Sequence, residues 1–408
     1  MFSGFLDFGI FDSLQIAFNI VYQSAFIWLP IVTGIAIFNM WVSYRRGVYW
    51  AGLGSVLLEI KLPKEIFKSP VAMEVIMGVF SQAGGEQTWI ERMWKCSTRD
   101  WFSLELVSEG GKIRFFVWTR PKYKNAIESQ IYSQYPGIEI YEVEDYTLPV
   151  SYNKEKNVVW GCEWKLKKAD AYPIKTYVDY GLDKDPKEEF KIDPLSTMIE
   201  FMGSLTEGHR VWIQIIVRSH TKNRRWEVFS EQDDSWKDNS DKEIKKIIEK
   251  FRPEDKEKQS RQATEGEKDV ISALERSLSK TPFDVGIRSL YIAEKDKFNG
   301  SNIGGMLGSF KQYSSPALNG FSPTGGLTGF NYPWQDFRGK TREFLKKHVL
   351  EAYKSRQIFY PPYKGKATFV LNSEELATIF HFPGQTVTTP TFERIPSKKS
   401  EAPANLPT

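Results

Sequence analysis

Gly339-Lys340-Thr341 has the ending of a phosphate-binding loop, in which backbone N–H groups cradle phosphates and the lysine reaches the outer ones. Such a loop needs a glycine five residues before Gly339 and a buried strand ahead of it. That position holds Trp334, and Tyr332-Pro333 precedes it, so nucleotide binding is not expected and Lys340 reads as a solvated residue at a helix start. A second candidate is Lys112-Ile-Arg-Phe-Phe-Val-Trp118, a partial RNA-recognition signature. Lys112, Phe116 and Val117 fit it, but Ile113 replaces the glycine and Arg114 stands where a stacking aromatic belongs. The plainer reading is an aromatic strand packed on its own helices. Single-strand binding through Lys112, Arg114 and Phe116 is the alternative. His209, His220, His348 and His381 have no Ser, Cys or carboxylate spaced for a triad, and each reads as a surface or capping residue. Four His and two Cys show no zinc-ligand spacing. Glu374-Glu375 suits a helix N-terminus through its dipole. Catalytic residues, cofactors and metals are therefore all expected to be none, and the chain to act by binding rather than as an enzyme.

The 408 residues suffice for two or three domains. A net charge of +4 over this length is too small to imply nucleic-acid binding by bulk electrostatics. Thirteen Trp and 14% aromatic residues favour well-packed β-structure. Cys96 and Cys162 lie far apart and suggest no disulfide framework, in keeping with a reducing cytoplasm.

Residues Ser13–Tyr44 carry no charged side chain, and Arg45-Arg46 follow at once. About 20 apolar residues cross a bilayer, so 1–50 is expected to be a membrane anchor with its span at 16–41. Trp28, Trp41 and Tyr44 suit the interfaces. With Asp7 and Asp12 before the span and Arg45 and Arg46 after it, the N-terminus is expected outside and the bulk of the chain in the cytoplasm of an inner-membrane, single-pass protein. Asn19, Gln23 and Asn39 hint at a partner helix.

After the anchor, 51–150 reads β-α-β-β-α-β. The strands are Ser55–Leu62, Thr88–Ser97 or Trp101–Val107, Lys112–Thr119 and Ile138–Val143, with helices after Pro70 and Pro121. Residues 151–384 repeat the order with strands Asn157–Lys167, His209–Ser219, Phe283–Ala293 and Ala367–Leu371, and helices Pro194–Leu205 and Asn302–Tyr313. The expected class is α+β: a transmembrane helix followed by two ferredoxin-like units, the second with long insertions. The first insertion, 221–280, carries 15 basic and 15 acidic residues and reads as a solvated hairpin of helices Asp241–Phe251 and Glu265–Leu278. The second, 314–337, is rich in Gly, Ser and Pro and reads as a flexible loop. Thr341–Lys354 reads as a helix. Asn372-Ser-Glu-Glu375 forms a capping-box start, and 385–408 an extended linker.

Leu58-Glu-Ile-Lys-Leu-Pro63, Ser69-Pro-Val-Ala-Met-Glu74, Ile127-Glu-Ser-Gln-Ile-Tyr-Ser-Gln-Tyr-Pro136 and Tyr141-Glu-Val-Glu-Asp-Tyr146 resemble the region before the motor in type IV secretion and conjugative coupling-type ATPases of the HerA/FtsK superfamily. The sharpest piece is Leu371-Asn-Ser-Glu-Glu-Leu-Ala-Thr-Ile-Phe-His-Phe-Pro383, similar to the segment just before their nucleotide-binding domain. The resemblance implies a membrane-bound adaptor working beside a motor in a translocation machine. This sequence ends before any Walker motif, so the expectation is either a P-loop ATPase on a separate polypeptide or a free-standing relative of the region before the motor. Leu376, Ile379, Phe380 and His381 are expected to dock the ATPase. Other secretion subunits, DNA and a second copy of the chain are further expected partners.

Overall fold

The computed structural model describes residues 5–63, 68–84, 90–91, 94–183, 192–220, 236–251, 261–324, 332–365 and 367–384. They fall into two units, Met1–Gly54 with Gly85–Thr98, and Ser55–Gly84 with the chain from Arg99 onward.

The first unit opens with α1 (Phe5–Gln23) and α2 (Ala25–Leu53). α2 is long and apolar enough to cross a membrane, and Ile31, Val32, Ile35 and Ile37 along it are exposed. The expected span at 16–41 is displaced in two ways. The helix breaks at Ser24, whose Oγ bonds back to the Ile20 carbonyl at 2.8 Å. It then runs through Arg45 and Arg46 to stop at Gly54 (φ 66°), because arginine is a good helix former and a charge ends a span without ending a helix. Thr88–Ser97, a candidate strand in the sequence, is no strand among its described residues; Ile90 and Glu91 are helical. In this unit the rings of Trp94 and Trp41 lie 5.8 Å apart, and Trp50 Nε1 donates to Thr98 Oγ1 at 2.8 Å.

The second unit is built on one antiparallel sheet. Its strands are β1 (Val56–Lys61), β2 (Phe102–Glu109), β3 (Lys112–Thr119), β4 (Glu139–Val143), β5 (Asn157–Leu166), β6 (His209–Ser219), β7 (Pro282–Glu294), β8 (Phe321–Thr324) and β9 (Phe369–Asn372). They run in the order β4-β1-β3-β2-β6-β7-β5-β8, with β9 paired to β7. The halves are therefore not separately cored: β2 pairs with β6 from Phe102↔Val217 to Glu109↔Arg210.

Period-two alternation gives the sheet two faces. On one, Leu58, Leu104, Phe115, Trp164, Ile213 and Ile287 join the main core. Helices α3 (Val71–Ser81), α4 (Lys124–Gln134), α5 (Ser196–Gly203) and α8 (Ser301–Ser309) supply Met73, Ile131, Ile199 and Met306 to it.

The insertions are tied down. Helices α6 (Trp236–Phe251) and α7 (Glu265–Leu278) share a small core of Ile247, Phe251 and Leu274. Trp236 Nε1 donates to Asp170 O at 3.0 Å and Arg276 pairs with Glu374 at 3.1 Å, so the hairpin is docked rather than free in solvent. The 314–337 loop is likewise ordered over 314–324. Buried Asn319 donates to the carbonyls of Ala169 (3.1 Å) and Tyr172 (2.9 Å), and β8 takes the sheet edge beside β5. The closing edge strand is thus β8, not Ala367–Leu371. Pro323 concealed it, since proline is tolerated only in such an edge strand. Residues 325–331 and the proposed linker 385–408 lie outside the described residues.

Candidate functional site

The C-terminal motif forms β9 and α10 (Ser373–Ile379). Asn372 caps the helix through Glu375 N at 2.8 Å, and the Glu375 carboxylate accepts from Asn372 N at 2.9 Å, the reciprocal capping box expected. Every residue of α10 is buried. Leu376, Ile379 and Phe380 belong to the main core, and the Phe380 and Phe382 rings meet Phe115 edge-on at 5.8 and 5.6 Å. His381 is buried too, with Nε2 3.2 Å from both oxygens of Asp193 and Nδ1 2.9 Å from Ala377 O. These four residues cannot dock a motor while the fold is intact. The apolar stripe that marked them as a contact surface is used up inside the chain.

The polar residues of the motif are equally committed. Glu375 Oε1 accepts from Ile174 N (2.8 Å), Glu374 Oε1 from Thr176 Oγ1 (2.6 Å), and Ser373 Oγ donates to Glu74 (3.0 Å). Burial pushes the Glu375 carboxyl up to about 8 against those backbone donors. For His381, burial works against the charge, but Asp193 outweighs it and the imidazole ends above its ordinary value. Asp193 itself is driven up by burial and pulled down further by His381, so it ends low.

The other candidate residues lie on the sheet's second face. Phe116 is only 1% exposed, and its ring stacks on Tyr146 at 4.8 Å. Covered in this way, it cannot offer a base-stacking platform. Arg114 is occupied by Glu109 and lies over the Phe116 ring. Lys112, Arg114, Glu59, Lys61 and Glu109 line a shallow depression of about 260 Å³ whose signs of charge are mixed. Of the histidines expected at the surface or as caps, His209 is instead buried against Tyr291 Oη (2.9 Å), and half-buried His220 contacts Asp284 (2.6 Å). Gly339 takes φ 68° ahead of α9 (Lys340–Ser355). The Asp336 carboxylate accepts from Thr341 N (3.1 Å) and Arg342 N (3.0 Å), filling the N–H groups that a phosphate would use.

On the same second face runs a feature the sequence did not single out. Registered pairs place Phe116, Glu105, Gln214, Arg288 and Glu163 in one row across β3, β2, β6, β7 and β5. Gln214 donates to Glu105 (3.0 Å) and Arg288 to Glu163 (3.0 Å). Over the row sits Arg356, just past α9. Its guanidinium holds Glu105 at 2.7 and 3.1 Å and Asp145 at 2.5 and 3.1 Å. Tyr146 donates to Glu105 at 2.8 Å, and its hydroxyl lies 2.9 Å from that of Tyr353. Burial would lift Asp145, but Arg356 holds it below the usual carboxylate range. The row is an interior network of linked polar side chains in which Arg288 Nε alone of its guanidinium nitrogens is left without a hydrogen-bond partner, and such networks fix one arrangement of the parts they join. Among the described residues no group of three His, Cys, Asp or Glu is placed to hold a metal ion.

One family model, DUF8128, described as a domain of unknown function, matches residues 55–394. The chain belongs to that family. The DUF8128 match begins at Ser55, where the sheet unit begins, and takes in the polar row, Arg356 and the whole Leu371–Pro383 motif. It leaves α1 and α2 outside. No curated protein matches the chain.

Proposed function

We propose that the chain is a membrane-anchored, non-catalytic component of a type IV secretion- or conjugation-like translocation machine, acting in assembly, motor docking or substrate recruitment. The observation that carries the reading is connectivity: the helix apolar enough to span a membrane ends at Leu53, and β1 starts at Val56. A span joined this closely to a sheet unit suits a fixed adaptor. Arg45 and Arg46 favour an inner-membrane orientation with the sheet unit in the cytoplasm. We read each half of the sheet as ferredoxin-like, supported by the matching orders β4-β1-β3-β2 and β8-β5-β7-β6.

The partner surface must be one the core has not consumed. At the entry of α9, Tyr332 and Trp334 stack at 4.6 Å, and Trp334, Phe337 and Phe344 are exposed. Exposed aromatics of this kind mark interaction sites, and we assign the docking of a separate P-loop ATPase to them. Affinity purification of the full chain from its native membranes should bring down a P-loop ATPase. The triple variant Trp334→Ser, Phe337→Ser, Phe344→Ser should lose it while keeping its unfolding midpoint. Native complexes without any P-loop ATPase would sink the assignment.

A further inference from the structure

We infer that Ile90–Thr98 is a second, interfacial attachment of the chain to the membrane that α2 crosses; the inference rests on the reading of α2 as a span. Between α3, ending at Ser81, and β2, starting at Phe102, the chain takes a far longer path than the roughly 2–6 residues a helix-to-strand connection needs. Of this stretch, Gly85–Thr98 groups with the N-terminal helices. There it is held against the stretch of α2 that carries Arg45 and Arg46, by the Trp41–Trp94 ring contact on one side of that pair and the Trp50–Thr98 hydrogen bond on the other.

Held in this way, the segment turns apolar side chains outward. Trp94 is 70% exposed and Ile90 57%, although Trp94 is anchored by its partner ring. In water this exposure is unfavourable. At the headgroup level it is favoured, because indole rings collect at the membrane–water interface. The apolar run of α2 closes at Tyr44, so Trp41, Trp94 and the arginine pair lie where that interface falls. Arg45, Arg46 and exposed Lys95 add the positive charge that anionic headgroups attract. The occupant of the surface offered by Ile90 and Trp94 is therefore lipid, continuous with the lipid around α2. Such a contact resists rocking of the segment about the span.

The test uses the full chain in vesicles of equal parts phosphatidylcholine and phosphatidylglycerol. Cys96 and Cys162 are buried, so unsubstituted protein serves as the labelling blank. A polarity-sensitive fluorophore is attached in Ile90→Cys and, separately, in Ile31→Cys. The position-90 label should emit blue-shifted and be quenched more by headgroup-level nitroxide lipids than by deep ones, with the reverse order at position 31. Adding Trp94→Glu should release the position-90 label to aqueous iodide. If position 90 responds to neither lipid while position 31 responds to the deep one, the interfacial attachment is overturned and the span stands. Failure at both positions removes the span, and the inference with it.

Discussion

Arg356 holds a left-handed backbone conformation (φ 51°) that costs a non-glycine residue roughly 1–2 kcal/mol. Glycine usually fills this place after a helix. The arginine stays because its guanidinium neutralises Glu105, which has no access to water. Removing one partner of a buried pair leaves the other uncompensated, so Arg356→Met should cost about 3–5 kcal/mol in urea unfolding. Arg356→Gly, which relieves the backbone, should be about 1 kcal/mol milder than Met. Equal losses in the two variants would show that the backbone term is negligible. The His381–Asp193 pair makes a pH prediction. The imidazole is raised in the fold, so its contribution is complete below the unfolded value of 6.5 and is lost as pH rises through the folded one. The lowered Asp193 contributes above 3.8 and loses that contribution only in acid. Glu375, raised to about 8, keeps its proton in the fold while the unfolded chain releases it, so it too makes stability fall as pH rises from 4.5 to about 8. Urea midpoints of wild type should therefore drop as pH rises from about 4.5 to 8, with the His381 share falling above 6.5, and His381→Gln should flatten that upper part of the slope but not the share of Glu375. An unchanged slope would contradict the ion-pair account.

α9 and the segment that follows it sit close to the sheet because two strand residues lack side chains. A Cβ on Gly161 would come within 2.4 Å of Leu290 and 3.1 Å of Val349 on α9, and one on Gly286 within 2.4 Å of Ile358. Gly286→Val should push Ile358 out, cost about 1–3 kcal/mol by overpacking, and raise hydrogen exchange along Lys340–Ser355. Unaltered exchange there would mean that α9 is held independently of that contact. The elements themselves were largely legible. The His209–Ser219 and Lys112–Thr119 strands and helix Glu265–Leu278 lie where the sequence pattern put them. What covers them was not legible. Alternation in Leu104-Glu-Leu106 sets Glu105 opposite the core, which reads as solvent-facing; only tertiary structure brings Arg356 onto it from 251 residues away. By the same limit, the stripe Leu376, Ile379, Phe380 tells that α10 buries one face, but not that its own sheet is the surface it meets.

The two halves of the sheet should unfold as one body. Their seam is a run of eight registered pairs between β2 and β6, and the main core draws Leu104 and Phe115 from one half and Ile213 and Ile287 from the other. The C-terminal motif adds a second bond between halves. Phe382 follows α10 in the chain, yet it packs on Phe115 of β3 and at 5.0 Å on Tyr135, just past α4. A chain that covers part of its first half with residues from beyond the strands of its second cannot complete that first half early. Two probes separate the possibilities: reactivity of the buried Cys162 thiol reports the second half, and amide exchange of Val56–Lys61 reports the first. In urea both should change at one midpoint. Phe382→Ala, which removes a buried aromatic at about 3–5 kcal/mol, should lower both midpoints together. If the β1 amides opened at lower urea than Cys162, in wild type or variant, the halves would be independent domains joined only at an edge. The seam would then be docking between finished units rather than part of how each is made.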